Sequence, residues 1–204
     1  VGGGSNAMGA FYHFIDEKYK NSHYDPTNEY SVPYCVGMVG LIYNTKLVKE
    51  TPDSWGIMWD EEYKNDILTF NNPRDAFAIA QFYLGQDINT SDPEEWKAAA
   101  ELLKEQKSVL QAYVMDEVYN KMESGSAAIA PYYVGDFLTM YEDNEDLSVV
   151  YPKSQTNIFV DAMCIPKNAE NPEMAELFIN FMLEPEVGVS NSEYIGYASP
   201  NSAT

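Results

Sequence analysis

Asp66-Ile-Leu-Thr-Phe70 followed by Asn72-Pro-Arg-Asp75-Ala-Phe-Ala-Ile79-Ala-Gln-Phe-Tyr83-Leu-Gly85 decides the fold class. The first run is short, apolar and bounded by polar residues, so it reads as a strand. The second opens with a capping asparagine, a proline at the first helical position and an acid at the third. Ala76, Ile79, Ala80 and Tyr83 recur at helical spacing, and Gly85 is a stop signal. A strand feeding directly into a capped helix is the repeating unit of an α/β protein.

The same unit recurs on both sides. Upstream, Ser31–Tyr43 is β-branched and apolar and reads as a buried strand, and Asp53–Trp59 reads as a short helix after Pro52. Downstream, Asp92 caps a helix with Pro93 first, whose predicted inner face is Trp96, Ala99, Ala100 and Leu103. A helix over about 116–124, a strand at Ala127–Ala130, a helix at Tyr132–Tyr141 and a strand at Leu147–Tyr151 follow. Ile158–Pro166 is a further strand, and Asn171-Pro172 opens a helix that turns Ala175, Phe178, Ile179 and Met182 to one side and stops before Pro185. The expectation is an α/β fold with a mixed, mostly parallel sheet and helices on both faces. In such folds ligands sit at the carboxyl ends of strands, near helix N-termini.

Composition narrows the function classes. Of 204 residues, 45% are hydrophobic and 22% charged, which suits a packed globular chain and excludes disorder as its main state. The longest nearly apolar run, Tyr34–Tyr43, is far short of the roughly 20 residues a membrane span needs. Twelve basic against 32 acidic residues leave a net charge of −20, which disfavours a nucleic-acid partner. The imbalance fits either a solvated acidic surface or a cationic ligand. Val1–Ala7, with three glycines and then Ser-Asn-Ala, reads as an expression-tag remnant. The chain is expected to be a piece of a longer protein.

Most catalytic signatures are missing. The run Gly188-Val-Ser190-Asn-Ser192 fails the nucleophile-elbow pattern at its last position, and no phosphate-binding glycine loop or zinc-protease motif occurs. No cofactor or metal is expected. Glu142–Asp146 lacks the spacing and glycine of a calcium loop and reads as a solvated helix end. His13 and His23 both lie in the turn-rich N-terminal segment. A carboxylate pair for glycoside hydrolysis stays open, because acids abound. Cys35 and Cys164 are expected as buried free thiols, with one long-range disulfide as the alternative.

Three groups of residues could bind a ligand. Asp161 interrupts the apolar strand Ile158–Ile165, and alternation puts it on one face with Phe159, Met163 and Ile165. If that face is buried, the carboxylate needs a partner. A resident lysine, arginine or backbone amide would serve, and so would an incoming ammonium group. Asn72 and Asp75 are accounted for by capping alone, yet they stand at the strand-to-helix turn where α/β clefts form. Tyr132 and Tyr133 are placed at a strand's carboxyl end and Tyr197 in a loop. As core residues they need no ligand, but as cleft residues their faces would suit an alkyl ammonium chain.

Asp25-Pro-Thr-Asn-Glu-Tyr-Ser-Val-Pro-Tyr34, Phe159-Val-Asp161-Ala-Met-Cys-Ile-Pro166 and Ile195-Gly-Tyr-Ala-Ser-Pro-Asn201, in that order, resemble the spermidine/putrescine-binding proteins of bacterial ABC importers. The likeness runs from about residue 16 to 202. It implies a type 2 periplasmic-binding-protein-like fold, a two-lobed receptor that closes on putrescine or spermidine and delivers it to the permease subunits. It implies no enzymatic activity, no nucleic-acid partner, no direct membrane insertion of this piece, and a periplasmic or extracellular, membrane-anchored location as a lipoprotein. The implied division is 8–37 with 156–183 as a partial first lobe and hinge strands, 38–155 as the second lobe, and 184–204 as a truncated crossover segment. The piece would then carry about half of the interlobe cleft.

Position by position, the resemblance implies that Asp161 is the main amine-binding carboxylate and that Phe159 stands where an aromatic, usually Trp, covers the alkyl chain. Tyr132, or Tyr133 one residue on, stands for another Trp, and Tyr197 for a ligand-facing tyrosine. Asp75 stands for the acid at the distal amine, and Asn72 replaces a second Asp found in spermidine binders, which favours a diamine. The other functional readings are a solute-binding protein for a different small ligand, a carboxylate-pair hydrolase, and an acidic docking domain.

Overall fold

A computed structural model describes residues 15–203; the stretch read as a tag remnant, and His13, lie outside the described residues. The chain divides into two compact units, one made of the described residues up to Gly37 and from Ile158 onward, the other of Met38–Asn157.

Among the described residues six strands form one mixed sheet: β1 (Val32–Asn44), β2 (Ile67–Phe70), β3 (Leu110–Val114), β4 (Ile129–Tyr133), β5 (Leu147–Val150) and β6 (Ile158–Met163). The order is β3-β2-β4-β1-β5, with β6 pairing β1 off that path. β2 runs parallel to β3 and β4, whereas β1 is antiparallel to β4 and β5. The helices are α1 (Pro73–Leu84), α2 (Pro93–Gln106), α3 (Glu117–Glu123), α4 (Val134–Asp143), α5 (Pro172–Met182) and α6 (Pro185–Ile195).

The Met38–Asn157 unit has a dense core. Leu41, Ile42, Trp55, Met58, Ile67, Leu68, Phe70 and Ile129 are all buried, and each such side chain contributes about 1.5–3 kcal/mol when fully removed from water. Trp55 stacks on Phe82 and donates its indole N–H to the Gln155 carbonyl at 2.8 Å. α1 is built as its sequence predicts: Asn72 accepts from the Arg74 N–H, and Gly85 ends the helix with φ 71° in the left-handed region. Its inner face differs at one position. Phe82 is buried, while Tyr83 is exposed and stacks flat on Trp59 at 5.0 Å. Trp96 of α2 is likewise more exposed than expected, packing on Phe77 and donating its N–H to the Thr90 carbonyl.

Three segments depart from the expected elements. β4 covers 129–133 rather than 127–130, so Tyr132 and Tyr133 end a strand instead of opening a helix, and α4 begins at Val134. The two tyrosines favour the pleated surface against β1. β3 was not expected because its residues are half exposed at the sheet edge and show no continuous apolar run. α6 occupies Pro185–Ile195, a stretch whose sequence predicts no helix.

The other unit has a small core of Ile15, Val32, Ile179 and Leu183, with Tyr19, Met163 and Ile165 packed against it. Val36 and Ala198 bridge through a reciprocal pair of backbone hydrogen bonds, Val36 N–H to the Ala198 carbonyl at 2.8 Å and the return bond at 3.2 Å. Phe178 of α5, predicted to face inward, is exposed, as are Met174, Leu177 and Phe181. Cys35 is buried and Cys164 exposed, both as free thiols, so only the first behaves as expected.

Candidate functional site

In the Met38–Asn157 unit, the turn from β2 into α1 places Asn72 and Asp75 together. The capping geometry turns the Asn72 side chain toward the first turn of α1, and its Nδ2 donates to Asp75 Oδ2 at 2.7 Å. Tyr133, at the end of β4, donates its hydroxyl to the same oxygen at 2.8 Å. Asp75 is 6% exposed. Burial raises the Tyr133 hydroxyl above its ordinary value, and the Asp75 carboxylate adds to that rise, so the phenol stays protonated and keeps donating. The capping explanation of Asn72 and Asp75 is therefore true but incomplete, because a tyrosine from another strand reaches the same carboxylate.

Tyr132 takes a different role from Tyr133. Its ring is 3% exposed and stacks on Phe70, centroid to centroid 5.5 Å. Burial pushes its hydroxyl up to about 12, with Asp136, Asp116 and Glu117 adding smaller contributions. The Tyr119 hydroxyl is also raised, first by burial and then by Asp136, to which it is hydrogen-bonded. Tyr132 thus forms the floor under Tyr133, the two rings lying 5.0 Å apart.

In the other unit, Phe159, Asp161, Cys35 and Tyr197 form a second group. The Cys35 thiol donates to Asp161 Oδ2 at 3.4 Å. Burial pushes the Cys35 thiol up to about 12, and the Asp161 charge adds to it, which keeps the donor protonated at neutral pH. Phe159 and Tyr197 meet at a tilted 6.4 Å. Gly196, with φ 72° at the end of α6, turns the chain so that Tyr197 precedes the Ala198 bridge. Gly37 makes this packing possible: a Cβ there would overlap the Phe159 ring and stand 2.8 Å from Tyr197 Cε1.

The condition set for Asp161, a buried face, is not met. Asp161 is exposed, and Ile158 on the same strand is 61% exposed. The apolar neighbours in sequence misled because β6 pairs only β1 among the described strands, and the small core of this unit covers Met163 but not Asp161. Alternation still holds along the strand; what fails is the inference that an apolar strand is covered throughout. The Cys35 contact was missed because it joins residues 126 apart in sequence with no local signal.

Neither Asp75 nor Asp161 forms an ion pair with a lysine or arginine among the described residues; the ion pairs there join other side chains. A third carboxylate shows what structural satisfaction looks like. Asp25, 4% exposed, accepts from the backbone N–H groups of Glu29, Tyr30 and Ser31 and from the Ser31 hydroxyl. Among the described residues no group of histidine, cysteine and acidic side chains is placed to hold a metal ion, and no helix is long and apolar enough to cross a membrane.

Comparison with known proteins identifies the family. The model of the family described as bacterial extracellular solute-binding protein matches residues 11–203. The spermidine/putrescine-binding periplasmic protein of Salmonella typhimurium is 35% identical over 193 residues, covering 94% of this chain and 56% of the relative. Its Escherichia coli counterpart is 33% identical over 190 residues, 93% of this chain and 55% of the relative. A solved structure of a putative spermidine/putrescine ABC transporter protein from Listeria monocytogenes superimposes with a TM-score of 0.90 at 34% identity, covering 98% of this chain and 62% of that one. The chain thus spans little more than half the length of the curated relatives it matches. It belongs to the bacterial extracellular solute-binding proteins.

Proposed function

We propose that the protein binds a linear polyamine, putrescine or spermidine, and hands it to the permease subunits of an ABC importer at the outer face of the cytoplasmic membrane. The observation that carries this reading is that two carboxylates, Asp75 in one unit and Asp161 in the other, each stand beside aromatic rings and are each held by neutral donors only among the described residues. The amide and phenol at Asp75 and the thiol at Asp161 are neutral donors that bring no positive charge, which suits an incoming ammonium group and opposes an anion. Phe159, Tyr197 and Tyr133 offer the apolar faces that cover methylene groups and attract the cation, each such contact worth about 0.5–2 kcal/mol. The names of the relatives at 33–35% identity point to the same ligand class.

Asn72 refines the ligand. It is neutral and donates to Asp75, so it adds no second charge for a further amine. This favours a diamine over a triamine. Calorimetry of the full-length protein with putrescine and spermidine tests the reading. The expected result is micromolar binding, about −8 kcal/mol, with putrescine at least as tight as spermidine. Absence of heat with both amines would overturn it. An Asp161→Asn protein that binds as well as the parent would remove that residue from the site.

A further inference from the structure

A pocket of about 270 Å³ lies wholly within the Met38–Asn157 unit between α1, α2 and the edge strand β3. Its floor is apolar: Phe70, Ala76 and Leu103 are buried core residues that reach its wall, and Phe77 and Tyr113 close its sides. Lys104 and Lys107 stand on its rim, exposed to solvent. No aspartate or glutamate lines it, although acids outnumber bases 32 to 12 in the chain. Lys104 is paired with Glu101 at 2.6 Å, but both side chains are about two-thirds exposed, and such a solvated pair is weak. Lys107 forms no ion pair among the described residues.

We infer that this pocket binds a small organic anion with an aromatic or branched aliphatic body, seated on Phe77, Leu103 and Tyr113, with its carboxylate against Lys104 and Lys107. The chemistry is opposite to that of the amine site, because two ammonium groups repel a polyamine and attract a carboxylate. Size limits the class: the pocket falls just below the roughly 300–1,000 Å³ usual for small-molecule sites, which suits a small ligand, and its apolar floor with a few polar groups at one end is the usual pattern. The Lys104–Glu101 pair costs little to open, so the ligand carboxylate can replace Glu101 without leaving a buried charge behind.

The test uses the ¹⁵N-labelled chain titrated with 3-phenylpropionate as the probe, and with 3-phenylpropylamine as the matched cation. The expected result is a saturable shift of the Phe77, Lys107 and Tyr113 amide resonances with the carboxylate and not with the amine. The Lys104→Gln/Lys107→Gln double variant should weaken binding at least about tenfold, while a control double variant, Lys46→Gln/Lys64→Gln, should stay within about twofold of the parent. All four lysines are exposed, so neither pair of changes threatens folding. The inference is overturned if those amides do not shift, if the amine shifts them equally, or if the double variant binds as the parent does. Putrescine calorimetry is independent of all of these outcomes.

Discussion

Asp75 and Asp161 are both carboxylates without a basic partner among the described residues, but they are held in opposite ways. Asp75 is buried at the start of α1, with an amide and a phenol donating to one oxygen. Asp161 stands exposed on β6, with a single thiol at 3.4 Å. Burial makes the first a strong electrostatic element, because its charge is poorly screened by water. Exposure makes the second weaker and easier to adjust. The contrast teaches that an unpaired acid in a strand or a helix turn marks a site only through its surroundings, and Asp25, with four donors of its own, marks none.

The largest effect is expected at Asp75. Replacing it by Asn keeps the shape and removes the charge, and putrescine affinity of the full-length protein should fall by about 2–5 kcal/mol, the cost of losing one member of a desolvated pair. Asp161→Asn should cost less, about 1.5–3 kcal/mol, the worth of a hydrogen bond to a charged group. Had Asp161 been buried, the cost would be roughly 3–5 kcal/mol. Calorimetry on the two variants side by side settles the ranking, and a larger loss at Asp161 would reverse the comparison drawn from burial.

Next in size is Gly37→Ala. The added methyl meets the Phe159 ring and Tyr197 Cε1, so the aromatic pair beside Asp161 must shift. Overpacking of this kind costs about 1–3 kcal/mol. A lower melting temperature together with weaker putrescine binding is expected; unchanged affinity would show that Phe159 and Tyr197 do not touch the ligand. Tyr133→Phe removes one donor to Asp75 and leaves the ring, so a smaller loss, about 0.5–1.5 kcal/mol, is expected in the same titration.

How much of this was legible follows from the range of each interaction. α1 was readable because its cap, its proline and its terminal glycine act within a few residues of one another, and Asn72 and Asp75 came with it. The end of β4 was not, because the pairing of Pro131, Tyr132 and Tyr133 with Leu41, Gly40 and Val39 is a long-range contact that overrides the local pattern. α6 escaped notice because Pro-Glu-Val-Gly-Val-Ser-Asn-Ser is poor in helix-forming residues. The position of Asp161 on one strand face with Phe159 was correctly read from alternation. Its exposure was not, since what covers a strand is decided elsewhere in the chain.

The smallest expected effect concerns Asp25 and sharpens the comparison from the structural side. Burial pushes its carboxyl up, but the bonds from Tyr30, Ser31 and Glu29 outweigh burial and leave it below its ordinary value of 3.8. A group whose value is depressed on folding contributes stability that is present above its unfolded value and is lost as pH falls through its folded one. Melting temperatures of the parent and of Asp25→Asn should therefore differ by a constant amount near neutral pH and converge below about pH 4. Putrescine affinity at neutral pH should be the same in both proteins. A variant that binds putrescine more weakly while folding normally would show that Asp25, despite its four donors, belongs with Asp75 and Asp161.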